Sequence, residues 1–570
     1  MAGKPEYKGK KDGAVKHEGH GNGYGKKRPA PAGAGANGDK KSFMDQKVAK
    51  KQRKMQRPHY ETVSRAKEIW NVIRERDVEK NKRTKLVQEL FELVQGKVYE
   101  IAAKHDASRV IQSLLKFGKP EHRTQTITEL KDHIVELAKT QYGCFLVQKM
   151  IKYGGKQDRA LIVKQLTGHV ITIGTHNIAA NVLEYAQEHL QPSQLSGLKL
   201  EFYGKEFAYF KSESKKNLTD LLAAYPEKRA EILKNLGATL NRMADKQLLG
   251  LAFVQSLLWD YFSNADHEDV MQMILNVRDA SLALLATRNG ARVVTKCISY
   301  GNPKDRKRII KCLKDKVLEA CNHPSGYLVI LRILDVVDDT VTVQKSVLAE
   351  LKDSLFDVAV HPTGRKVLLQ MLSPLNKKYL SADDIELLAP PKMPSPEDPS
   401  LQIINYKKEP SARRDELLKG MLPKLETMCI ENAHALMRSK EGRDVLVEVI
   451  KASSSSPDVW VEPIVAAINA EPESEEQEPV VTDANAHFAL RRIIKETHVA
   501  EPLLEAVQDN MAEWTKVNRS AFVVLAFLEA EHGSKNAKTV VKKALKADMS
   551  DLKKLTETQA GTKLVLDKLN

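Results

Sequence analysis

The sequence predicts an all-α fold, a helical-repeat solenoid, on three observations. A small residue opening a short helical reading frame recurs along the chain: Ala107 (HDASRVIQ), Gly143 (TQYGCFLVQ) and Ala179 (NIAANVLE), 36 and 36 residues apart. After a gap of two periods it returns near Leu251, then at Gly290 (RNGARVVT), Gly326 (PSGYLVIL) and Gly364 (PTGRKVLL). Apolar content of 42% can fill a core, while aromatic content of only 6% suits thin helical layers better than β-sandwiches. A unit of this size buries its apolar face only by stacking on its neighbours. The 570 residues therefore need not split into several cores, and function belongs on one long surface rather than in a pocket.

Residues 1–58 are rich in Gly, Lys, Pro and Ala and carry 16 Lys/Arg against 5 Asp/Glu, a net +11 of the chain's +16. Such a segment cannot bury enough apolar surface to offset its ordering entropy, so a disordered basic tail is expected. It holds two basic clusters suited to nuclear import or to non-specific nucleic-acid contact: Lys26, Lys27 and Arg28, then Lys47, Lys50, Lys51, Arg53 and Lys54. Residues 59–96 read as a helical cap on the solenoid, with Trp70, Val72, Ile73, Val87, Leu90, Phe91 and Val94 at helical spacing.

Residues 97–374 hold the clearest repeats. Each has an apolar helix, a turn, and a second helix carrying the landmark. The turns often bear His: Lys104-His105-Asp106, Thr175-His176-Asn177, Asn322-His323-Pro324 and Val360-His361-Pro362. These histidines read as turn and packing residues, because none has a partner at metal-ligand spacing. Residues 375–411 break the period with five prolines in LAPPKMPSPEDPS, so an exposed inserted loop is expected. Residues 412–570 continue the array in degenerate form, around Gly442, His487, Ser520 and Gly561.

Several classes are disfavoured. No apolar run of transmembrane length and no secretory h-region is seen, so no membrane partner is expected. Five scattered cysteines (Cys144, Cys297, Cys312, Cys321, Cys429) form neither a zinc motif nor a disulfide framework, the pattern of a reduced compartment. No phosphate loop, nucleophile elbow or metal motif is present, so neither an enzyme nor a cofactor is expected.

Positions one, two and five after the landmark share one helix face. They hold Ser108, Arg109 and Gln112; then Cys144, Phe145 and Gln148; then Ala180, Asn181 and Glu184. A small polar residue and a Gln or Glu can meet a base edge, and a planar side chain between them can stack on the base. Cys144 reads equally as a base-facing residue or a buried thiol.

HDASRVIQ, YGCFLVQ and the 36-residue period resemble the Pumilio (PUF) repeat, which binds RNA one base per repeat. GNPKDRKRIIKCLKD, PSGYLVILRILDVVDDT and GRKVLLQMLSP resemble the divergent nucleolar subgroup of that family, the Puf-A type, and the last third resembles its CPL region. The resemblance implies about eleven PUF-like repeats in a right-handed, L-shaped array. It implies binding of RNA or DNA with little sequence preference, a monomer in the nucleus and nucleolus, and a role in large ribosomal subunit assembly. Precursor ribosomal RNA, duplex nucleic acid, and pre-ribosomal proteins or assembly factors are the implied partners.

The departures from the repeat matter. Position one becomes Ala252, Ala291, Tyr327 and Arg365, and position five becomes Ser256, Thr295, Leu331 and Leu369. Leu and Thr cannot make a bidentate base contact, so two or three repeats at most should read bases. A unit near Lys211–Tyr225 has no legible triplet. Charge remains. Lys304, Arg306, Lys307, Arg308 and Lys311 cluster on one loop and helix, and Arg288, Arg292, Lys296, Arg365 and Lys366 lie on landmark helices. Together they are the expected phosphate-binding stripe. Two alternatives stand beside this reading: a sequence-specific messenger-RNA regulator, and a protein–protein scaffold of the HEAT or armadillo type.

Overall fold

In the computed structural model of the chain the described residues are 52, 55, 58–104, 107–209, 217–395, 397–398, 400–472, 474–530 and 536–570. Two units divide the chain, Met1–Glu61 and Thr62–Asn570. The basic clusters at Lys26–Arg28 and Lys47–Lys54 lie outside the described residues, as do His105 and Asp106.

Among the described residues, eleven landmark helices of the second unit pack side by side in chain order. They are Ser108–Phe117, Gly143–Tyr153, Ala180–Gln187, Ala252–Asn264, Arg288–Tyr300, Tyr327–Val336, Gly364–Leu372, Gly442–Ala452, Ala486–Glu496, Asn518–Leu528 and Ala560–Leu569. The two-period gap contributes no member to this row. Ala180–Gln187 packs directly on Ala252–Asn264, and the helices Pro192–Leu200, Leu218–Ala224 and Arg229–Asp245 lie between them in sequence only.

The landmark is small because its helix starts hard against the backbone of the short helix before it. A Cβ on Gly290 would stand 2.0 Å from the Leu284 carbonyl oxygen, and one on Gly143 2.4 Å from that of Leu137. The turn residues cap the same helix starts. His176 Nδ1 accepts the amides of Ile178 and Ala179 at 3.2 Å, and His323 Nδ1 those of Ser325 and Gly326 at 3.2 Å. His361 does the same for Thr363 and Gly364. Where His is absent, Thr140, Thr287 and Ser439 supply the acceptor oxygen. This is N-capping, which satisfies amides the helix itself leaves free.

Two further devices bind one repeat to the next. Gly96, Gly168 and Asp315 turn the chain at positive φ (75°, 88° and 62°). Each amide is taken by a glutamate from the following repeat: Glu129, Glu201 and Glu350, at 3.0, 2.7 and 2.8 Å. Arg123, Arg159 and Arg306 lie five residues beyond the glycines that end landmark helices (Gly118, Gly154, Gly301). Each donates back to carbonyls at the C-terminal end of that helix, where a cation is favoured. The apolar core runs the length of the row, with Val110, Ile111, Leu146, Val147, Val182, Val293, Val294, Leu328 and Val367 fully buried. Each such side chain contributes roughly 1.5–3 kcal/mol on burial.

The insert at 375–411 is more ordered than an exposed loop. It forms the helix Ala382–Leu387 and a two-stranded antiparallel ribbon, Lys392–Pro394 with Gln402–Ile404. It is tied to the repeats: Asp384 is 1% exposed, and Asn405 donates to the carbonyls of Ser299 and Tyr300. The proline-bearing ribbon itself stays exposed, with Leu401, Ile403 and Ile404 open to solvent. No described helix is long and apolar enough to cross a membrane.

Candidate nucleic-acid interface

At the second position after the landmark Phe253 and Leu328 are buried and Arg292 and Lys366 half-buried, whereas in the first three repeats the landmark helix exposes that position. Arg109 and Asn181 are exposed there, and Phe145 is 52% exposed. Position one is buried in five repeats and half-buried at Ala252 and Arg365. Ser108 is fully buried with its Oγ 3.4 Å from the Tyr142 carbonyl, so it is not a base contact. Cys144 is 3% exposed, 3.4 Å from the Ile178 carbonyl, and burial pushes its thiol up to about 11. The buried-thiol reading of Cys144 holds. The reason is register: position one points along the row into the next repeat, where Ala180, Ala291 and Tyr327 are also buried.

Position five is half spent on structure. Gln112 donates to Ser108 Oγ at 3.3 Å, and Gln148 donates to the Asn181 carbonyl at 3.2 Å. Glu184 accepts the amides of Ala252 and Phe253 at 2.9 and 3.1 Å, so it caps the next landmark helix instead of facing a base. Thr295, Leu331 and Leu369 are buried. Beside the triplets stand lysines that sequence reading missed. Lys116 lies 4.8 Å from the Phe117 ring, and Lys149 and Lys152 each lie 6.0 Å from the Tyr153 ring.

The expected phosphate stripe divides. Arg306 is 5% exposed, and its guanidinium donates to the carbonyls of Ile298, Ser299, Val336 and Asn405. Burial holds its pKa below the usual arginine value. It is a clamp between helices, and phosphate cannot reach it. Arg365 is half-buried in an ion pair with Asp444. Arg288 and Lys366 both meet Asp384 of the insert, at 2.5 and 3.7 Å, and Tyr327 donates to the same carboxylate at 2.6 Å. Burial alone would raise the Asp384 carboxyl, but the hydrogen bonds from Tyr327 and Arg288 outweigh it and hold it low. Arg292 stacks on Trp259 at 5.3 Å and faces Asp383 at 3.7 Å. Asp383 and Asp384 thus answer charges that the sequence left for phosphate.

What remains free is narrower. Lys304, Lys307 and Lys311 are exposed on the helix Pro303–Cys312 and have no ion-pair partner among the described residues. Lys296 is half-buried, 5.4 Å from the Tyr300 ring. Arg308 is exposed but paired with Asp279. The three free lysines stand on a connecting helix, outside the landmark row, so they do not prolong the landmark residues into one stripe.

The Pumilio-family RNA binding repeat matches residues 97–131, 133–167 and 288–313, and the CPL (NUC119) domain matches 360–500. Human Pumilio homolog 3 is 30% identical over 531 residues, covering 90% of this chain and 80% of the relative. Pumilio homology domain family member 6 of Schizosaccharomyces pombe is 29% identical over 548 residues, covering 93% and 83%. The crystal structure of human Puf-A superposes with a TM-score of 0.80 at 30% identity, covering 89% of this chain and 100% of that one. Human Puf-A in complex with DNA gives 0.79, covering 90% and 100%. By sequence and by fold alike, the chain belongs to the Pumilio homolog 3 (Puf-A) family of Pumilio-repeat proteins.

Proposed function

We propose that this protein binds nucleic acid, RNA foremost, through backbone phosphates and base stacking with little sequence selection. The observation that carries this is the division of labour on the landmark helices. Their base-reading positions are buried or hydrogen-bonded within the protein, while the exposed positions of the first three hold Arg109, Phe145, Asn181 and flanking lysines. Cations and ring faces accept any nucleotide, whereas edge-reading amides would select one. A solved relative, human Puf-A in complex with DNA, supports nucleic acid as the ligand class. In keeping with the nucleolar subgroup, the bound RNA is ribosomal precursor, the compartment is the nucleolus, the role is large-subunit assembly, and no chemistry is catalysed.

The test is affinity measured against salt and against sequence, with crosslinking of the protein to its RNA in cells. Steep loss of affinity with salt, little preference among sequences, and crosslinks in precursor ribosomal RNA are expected. Discrimination of about a hundredfold, the scale of one or two good base contacts, would favour a messenger-RNA regulator. Absence of binding near ~0.1 M salt would favour a protein scaffold.

A further inference from the structure

The C-terminal array repeats the exposed aromatic of the second repeat. Aligned on their helix starts, Gly143-Cys-Phe-Leu-Val-Gln148 and Ala486-His-Phe-Ala-Leu-Arg491 place Phe488 at the Phe145 position and Arg491 at the Gln148 position. His487 is buried where Cys144 is buried. Phe488 is 45% exposed, close to the 52% of Phe145. On the next landmark helix Ser520-Ala-Phe brings Phe522 to the same position, half-buried.

These rings are threaded by two arginines. The Arg443 guanidinium lies 5.7 Å from the Phe488 ring centre, and that of Arg491 lies 5.5 Å from Phe488 and 5.1 Å from Phe522. Three adjacent landmark helices therefore present Arg443, Phe488, Arg491 and Phe522 as an alternating ladder of cations and rings. The neighbouring arginines are neutralised: Arg438 by Asp483, Arg492 by Asp444 and Glu496, Arg519 by Glu478. Arg443 and Arg491 have no ion-pair partner among the described residues, and the Nε of each is buried without a hydrogen-bond partner. Two uncompensated cations beside a half-exposed ring lack an anion and a flat apolar surface.

We propose that this ladder is a second contact site for single-stranded nucleic acid, in which unpaired bases stack on Phe488 and Phe522 while Arg443 and Arg491 take the adjoining phosphates. The proposal rests on the nucleic-acid reading above and extends it to the CPL third. An unpaired nucleotide supplies one plane and one negative charge per step, which matches the alternation. A duplex offers the charge but keeps its bases stacked within. An acidic peptide offers charge but gives the ring faces no planar partner.

The test uses the full chain and two probes of equal length, a ~12-nucleotide oligouridine and an RNA duplex, a length on the scale of one single-strand site. Phe488→Leu with Phe522→Leu keeps apolar volume while removing the ring faces. This pair is expected to weaken oligouridine binding about tenfold or more, the scale of lost base stacking, with little change for the duplex and an unchanged melting temperature. Arg443→Gln with Arg491→Gln should weaken oligouridine binding as well. Photocrosslinks from 4-thiouridine in the oligouridine should map to the peptide holding Phe488. Unchanged oligouridine affinity in the Phe pair, with the intact chain still binding both probes, would overturn this site and leave the broader reading standing. An intact chain that binds neither probe would overturn both. Loss of affinity for an acidic peptide, with RNA binding intact, would assign the ladder to protein docking and overturn the proposal.

Discussion

Glu184 caps a helix that begins 68 residues later: its carboxylate accepts the amide of Ala252 at 2.9 Å and that of Phe253 at 3.1 Å. This bond closes the row of landmark helices across the segment that lacks a landmark of its own. A carboxylate at a helix N-terminus is favoured both by hydrogen bonding and by the helix dipole. Glu184→Ala should cost about 1–2 kcal/mol of stability, read as a lower urea midpoint. RNA affinity at fixed salt should barely change. A large loss of affinity with unchanged stability would return Glu184 to the binding surface.

Arg306 and its lysine neighbours should separate cleanly. Arg306→Ala takes a donor from four carbonyls, of which that of Ser299 keeps Asn405, and should destabilise the protein by roughly 3 kcal/mol, since each orphaned acceptor carries a desolvation penalty. Lys304→Gln, Lys307→Gln and Lys311→Gln together should leave stability nearly unchanged. If these lysines contact phosphate, affinity for all sequences falls alike and the salt slope becomes shallower. The same unfolding midpoint in Arg306→Ala as in the wild type would contradict the clamp.

Gly290 tests why the landmark is small. Gly290→Ala places a Cβ 2.0 Å from the Leu284 carbonyl oxygen and 2.5 Å from Gln255 Oε1. The overpacking should cost about 2–3 kcal/mol, measured by thermal or urea unfolding. Gly197 has nothing within 4 Å of such a Cβ, so Gly197→Ala is the tolerated control.

Acid should weaken the C-terminal array through Glu496. Burial alone would raise its carboxyl, but hydrogen bonds from Arg492 and Lys451 outweigh that and take it down to about 2 from the ordinary 4.5. A carboxylate held low in the folded state stabilises fully above the unfolded value. That stabilisation drains as pH falls from about 4.5 through about 2. Glu496→Gln should lower stability at neutral pH by an amount on the order of 2 kcal/mol and flatten the acid limb of a stability–pH curve. An unchanged acid limb in the variant would contradict the assignment.

The period was legible because it is enforced locally. A landmark pressed on a backbone carbonyl must be small, and a turn that caps it needs His, Thr or Ser, so spacing and residue type recur together. The clamp is legible only as a series: Gly118 to Arg123, Gly154 to Arg159 and Gly301 to Arg306 share one five-residue step. Reading Arg306 within that series, and not as one of a run of cations, would have removed it from the phosphate group. The Phe488 position was likewise within reach, by laying AHFALR over GCFLVQ. The insert was another matter. Arg288 and Asp384 are 96 residues apart, and Arg365 and Asp444 are 79 apart. No local pattern announces such pairs, so charges that look free in the sequence are answered only when the chain folds back.

The most direct measurement is the RNA affinity of the full chain, and of residues 62–570 alone, against salt concentration for several unrelated sequences. The account predicts a steep linear fall of log affinity with log salt, about 0.7 of slope per phosphate contacted on a single strand, retained without the basic tail and nearly equal for every sequence. A flat salt response of residues 62–570, or a single sequence bound a hundredfold or more above the rest, on the scale of intact base reading, would contradict it.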